Sequence, residues 1–134
     1  MFFDGGAHDL SAVECQELLA TAHVGRLSLT MRALPVVLPV NYGYLGGTVI
    51  LALGDGPAQR ALSLGNIIGL GVDNAHLPEP FWTVLVIGRA SEITDPAACA
   101  EYRRLGLTAH TDGPASASHF MRLTPDIMTG DRAN

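Results

Sequence analysis

The chain has 134 residues, 48% hydrophobic and 16% charged, with a formal net charge of -5 at pH 7. That length holds one domain, residues 1–134 with 1–10 as an N-terminal tail, and the composition excludes a disordered chain. There is no lysine, all eight basic residues being arginine, which excludes Schiff-base catalysis and the lysine-bearing phosphate loop. The basic patch of a nucleic-acid binder is missing, so no nucleic-acid partner is expected. No apolar run approaches the roughly 20 residues of a membrane helix. The opening MFFDGGAHDL lacks the basic start and apolar core of a signal peptide, so the expected location is cytoplasmic, away from membranes. Cys15 and Cys99 are then expected as free thiols.

Ser11 and Glu14 form a capping box, and Cys15, Leu18, Leu19 and Ala22 follow as one apolar stripe, which predicts a helix ending near His23. Val24 to Met31 alternates apolar and polar residues and reads as a strand, leading by a short connection into a hairpin from Pro35 to Leu53. In that hairpin Val36, Leu38, Val40, Tyr42 and Tyr44 share one face, and Val37, Pro39, Asn41 and Gly43 the other. Gly46-Gly47 supplies the positive φ angles of a tight turn. Pro39 cannot donate to a ladder and marks an edge or a bulge, where a flat ligand could lie on the small-residue face.

Gly54-Asp55-Gly56-Pro57 turns into a short helix over Ala58–Leu64, stopped by Gly65. Ile67–Val72 is a strand, Asp73–Pro80 a loop, and Phe81–Thr94 a long strand with Gly88 at a bulge or corner. Asp95-Pro96 opens a third helix closed by Gly106. After a loop over Leu107–Ala117 comes a last strand, Ser118–Leu123, which Pro125 is expected to interrupt. The expected fold is mainly β: a six-stranded split β-barrel with small peripheral helices, homodimeric because its strands are apolar on both faces.

The strings ECQELLATAHVGRLSL, PVVLPVNYGYLGGTVIL, FWTVLVIGRASEITDP and HFMRLTPDIMTGDR, in this order and spacing, resemble the pyridoxamine 5'-phosphate oxidase-like split-barrel family over nearly the whole chain. The resemblance implies a small homodimer holding FMN, or in some branches a deazaflavin or haem, in clefts at the dimer interface. It places Pro39, Val40 and Asn41 beside the flavin ring and Trp82 near the dimer cleft. It sets the phosphate-holding stretch of the returning strand on Leu51, Ala52 and Leu53, with the following turn on Pro57 and Ala58.

The family's Arg-Thr pair and turn lysine are absent at those positions, and Asp55 adds a negative charge nearby. Removing the charge-assisted bonds of a phosphate costs much of its affinity. Arg60 and the free N–H groups after Gly56 are the substitutes within reach, although a solvated Arg60 is the simpler expectation. Arg89 is expected in an ion pair, and the five histidines show no metal-ligand spacing, so no metal site is expected. No catalytic side chain is legible, because a flavin carries the electrons itself. The expected function is a flavin-binding oxidoreductase using FMN or a deazaflavin. The alternative is a non-catalytic homodimer that has lost its phosphate site and binds another planar ligand or none.

Overall fold

The computed structural model describes residues 7–109 and 118–133. In chain order they form β1 (Ala7–Asp9), α1 (Ala12–Leu19), β2 (Val24–Met31), β3 (Leu34–Leu45), β4 (Thr48–Leu53), α2 (Pro57–Ser63), β5 (Ile67–Asp73), β6 (Trp82–Glu92), α3 (Pro96–Arg104) and β7 (His119–Ala133). The strands run β7-β4-β3-β2-β5-β6, and β6 pairs back to β7, closing a six-stranded antiparallel barrel. The expected tail is partly structured: β1 adds to the far end of β7, and Leu10 is buried.

The closure is incomplete along one seam. β3 pairs with β2 over its first eight residues, Leu34 to Asn41, but with β4 only from Asn41 onward. Pro35 and Pro39 therefore lie on an open edge, where a missing N–H leaves no ladder bond unmade. Alternation fills the barrel with Leu27, Leu29, Val40, Tyr42, Leu51, Leu70, Val84, Val86, Met121 and Leu123. A second, smaller cluster forms outside the barrel wall: Ile50, Ala52 and Phe120 are covered by Leu107 and by Cys99 and Tyr102 of α3. The Tyr102 ring meets Phe120 edge-on at 5.3 Å, and the Arg103 guanidinium stands 5.4 Å from the Phe120 ring centre.

The capping box of α1 is formed: Ser11 N–H donates to Glu14 Oε1 at 3.0 Å, and Glu14 N–H donates to Ser11 Oγ at 3.1 Å. The helix stops at Leu19, a turn before the expected end, and Ala22 packs on the core from beyond it. The connection between β2 and β3 is a two-residue turn, with Arg32 at φ 51° and Ala33 at φ 63°. Neither residue advertises a turn, because neither is glycine or asparagine.

Pro125 does not interrupt β7, which continues to Ala133. Ile87 pairs with Ile127 and Gly88 with Pro125, so Asp126 is an extra residue on the β7 side. The bulge absorbs the proline, and Gly88 makes room for it: a Cβ there would stand 2.0 Å from the Thr124 carbonyl oxygen.

Candidate functional site

Two adjoining clefts open beside α1. The first, about 540 Å³, lies between the end of α1, β3 and the segment after α3, and includes His23, Asn41, Tyr44 and Leu107. The second, about 590 Å³, lies between α1 and the β5–β6 loop, and includes His23, Asp73, His76 and Trp82. Ala22 and His23 line both. Asn41 Nδ2 donates to the Thr108 carbonyl at 2.9 Å, which ties β3 to the segment after α3. The buried Asn74 holds the other wall: its Nδ2 donates to the Pro80 carbonyl at 3.0 Å, and its Oδ1 accepts from Trp82 N–H at 2.8 Å. The first cleft, mostly apolar with few polar groups, suits a planar organic ligand, whereas the second carries Asp73, His76 and Glu79 in its lining.

The corner where β4 runs toward α2 has a different character. Leu53 pairs across the sheet with His119, and Ala52 with Phe120. The His119 imidazole is flanked by Glu92 Oε2 at 3.2 Å from Nδ1 and by Asp55 Oδ1 at 3.5 Å from Nε2. Gln59 Nε2 donates to Glu92 Oε1 at 3.1 Å, joining α2 to the cluster. Here the resemblance would put a cofactor phosphate, and the residues do not fit one. Ala52 is sealed beneath Phe120 and Leu107, and Leu53 is buried in the barrel. The polar groups that face outward include two carboxylates, which repel a phosphate.

The expected site residues are thus dispersed. Asn41 and Trp82 sit in the two adjoining clefts. Val40 and Leu51 turn their side chains into the barrel core, and Ala58 packs partly against it. Pro39 is exposed on the outer face of the open edge. Arg60 is exposed and lines a separate groove on the other flank of α2. Arg89 is exposed with no carboxylate paired to it among the described residues, so the expected ion pair is not formed. Sequence reasoning missed His23, Asn74 and the company of His119, because each takes its role from residues distant in the chain. Among the described residues no three His, Cys, Asp or Glu side chains converge as a metal set. Cys15 and Cys99 are free thiols, and burial, then the charges of Glu14 and Asp131, push the Cys15 thiol up, which keeps it protonated and unreactive.

The family model described as pyridoxamine 5'-phosphate oxidase matches residues 11–132. The chain belongs to that family. It is 29% identical over 130 residues to the uncharacterized protein Rv0080 of Mycobacterium tuberculosis, covering 92% of this chain and 84% of that one. Among solved structures, an FAD binding protein from Mycobacterium smegmatis is 28% identical, with a TM-score of 0.73 over 95% of this chain and 100% of its own. An FAD-binding protein from Mesorhizobium loti is 22% identical, with a TM-score of 0.77 over 96% and 99% of the two chains. At that identity the second likeness speaks to the split-barrel fold alone.

Proposed function

We propose that this family member is a flavin-binding oxidoreductase that works as a cytoplasmic homodimer. It takes FMN, FAD or a deazaflavin through contacts to the ring rather than through a phosphate at the β4–α2 corner. The observation that carries the reading is the 28% identity, over 95% of this chain, to a protein described as FAD-binding. The outer face of the barrel supports the dimer. Val37, Ser28, Gly69, Ile87 and Ile127 are successive cross-strand partners and so form one row across five strands. Val37 is 63% and Ile127 50% exposed, the apolar ends of a row with the small residues Ser28 and Gly69 between them, suited to a second copy or a planar ring. Among the described residues no helix is long and apolar enough to cross a membrane.

The acidic corner favours a second reading, a non-catalytic homodimer that takes another planar ligand or none. The visible spectrum of the purified protein, followed by titration with riboflavin, FMN, FAD and a deazaflavin, separates the two. The flavin reading expects binding in which riboflavin and FMN differ by only a few-fold. No affinity for any of the four leaves the second reading standing. Light scattering is expected to give the mass of two chains.

A further inference from the structure

The second cleft, about 590 Å³ between α1 and the β5–β6 loop, differs from the first in charge. Leu18, Val24, Leu77 and Trp82 supply its apolar wall. Val24 is 46% and Leu77 44% exposed, so much of that wall has no cover within the described chain. Asp73 and Glu79 line the same cleft and no arginine does, whereas no acidic residue lines the first cleft among the described residues. The volume falls within the range of small-molecule sites, about 300–1,000 Å³.

The two carboxylates are held on a fixed loop. Asp73 ends β5, and its Oδ1 accepts from Ala75 N–H at 2.9 Å. Glu79 lies just before Pro80, whose carbonyl accepts from the buried Asn74 Nδ2 at 3.0 Å. Neither acid has an ion-pair partner among the described residues. Arg26 lines an adjoining pocket of about 140 Å³ that shares Val24, Asp73 and His76 with the cleft, yet it makes no ion pair with Asp73. His23 and His76 add ring nitrogens that accept an N–H when unprotonated. Unneutralised carboxylates beside an apolar wall match one ligand chemistry, a protonated amine on an apolar body.

The junction with the first cleft gives such a ligand its place. Ala22 and His23 line both clefts, so a molecule in the second meets one in the first across those two residues. The backbone fixes this junction: the His23 carbonyl accepts at 2.9 Å from the N–H of Tyr42, a residue buried in the core.

We propose that the second cleft is the substrate subsite of the flavin site and takes an organic amine, its ammonium at Asp73 and Glu79 and its apolar body along Leu18, Val24 and Leu77. The role as substrate rests on the flavin reading; the binding of the amine does not.

The test is calorimetric titration of the full chain near neutral pH with phenethylamine, phenethyl alcohol and hydrocinnamate, which share ring and chain and differ in the charge of the head. Asp73→Asn and Glu79→Gln are each expected to weaken phenethylamine about three- to fivefold, the scale of one solvent-screened ion contact, and the amine to bind about tenfold more tightly than the alcohol. Asparagine keeps the acceptor for Ala75 N–H and Glu79 has no partner to lose, so both variants fold. Asp126→Asn, on the β7 bulge, leaves the binding unchanged. Equal affinity for the three heads, or unchanged affinity in both acid variants, overturns the proposal. In the flavin-loaded chain phenethylamine is expected to shift the visible flavin band, and binding without a shift overturns the substrate role. Amine binding by a chain that takes no flavin overturns the flavin reading and the substrate role together and leaves the cation site standing. Flavin binding with no preference for the amine overturns this proposal alone.

Discussion

His119 Nδ1 stands 3.2 Å from a carboxylate oxygen of Glu92. Asp55 approaches the other ring nitrogen, so two carboxylates border the corner that a phosphate would need, and Arg103 lines it as well. The Asp55 side chain is 78% exposed, which makes it the position where charge can be changed without disturbing the core. Asp55→Arg is expected to raise the preference for FMN over riboflavin about tenfold, the worth of one charge-assisted contact plus one repulsion removed. Equilibrium titration with both ligands measures it, and an unchanged ratio would mean that the phosphate lies elsewhere. Restoring the family arginine at Ala52 instead would bury a charge beneath Phe120 and Leu107. Ala52→Arg is therefore expected to cost several kcal/mol in a denaturant titration.

Gly88 and Thr124 meet too closely for any side chain between them. Gly88→Ala would place its Cβ 2.0 Å from the Thr124 carbonyl oxygen, a backbone atom that cannot rotate away. The expected loss is about 3 kcal/mol or more, at the upper end of overpacking costs. A denaturation midpoint equal to the parent's would show that the β6–β7 bulge relaxes freely.

At the β2–β3 turn the opposite change is expected to help. Ala33 holds φ 63°, where a Cβ costs about 1–2 kcal/mol and glycine none. The greater freedom of glycine in the unfolded chain offsets part of the gain, so Ala33→Gly should stabilise by about 0.5–1 kcal/mol. A lower denaturation midpoint in this variant would contradict the left-handed turn.

Tyr42 couples stability to alkaline pH. Its hydroxyl donates to the Leu19 carbonyl at 2.6 Å, and burial pushes its ionisation well above the ordinary value of 10.0. The unfolded chain therefore releases this proton first as pH climbs. The contribution is complete below about pH 10 and declines above it, by about 1.4 kcal/mol per pH unit. The raised Cys15 thiol acts in the same direction from near its ordinary 9.0, so the tyrosine part is read as the difference between parent and Tyr42→Phe. That variant should lose about 1–3 kcal/mol at neutral pH, because the Leu19 carbonyl is left unpaired, and should show a shallower decline above pH 10. Equal slopes would overturn the assignment.

Where a feature depended on neighbours in the chain, the sequence by itself was enough. Ser11 and Glu14 mark the start of α1 because a capping box closes within one helical turn. Gly46-Gly47 mark the β3–β4 turn because only local φ angles matter there. Alternation along 24–31, and the run apolar on both faces over 48–53 after the Gly-Gly turn, made both strands legible, and the resemblance named the family that the residue 11–132 match bears out. Pro125 was misread because a strand tolerates proline where its partner leaves a bulge, and that partner, Gly88, lies in another strand. The Arg32–Ala33 turn was illegible because tertiary pairing of β2 with β3 imposes strained angles on residues that do not prefer them. The charge around His119 was hidden for the same reason: Glu92 lies 27 residues away, and only β6 pairing with β7 brings the two together. Period and capping act over one turn or one pleat. Register, barrel closure and the electrostatics of a corner act between strands, so only the tertiary structure decided that Glu92 and Asp55 meet around His119.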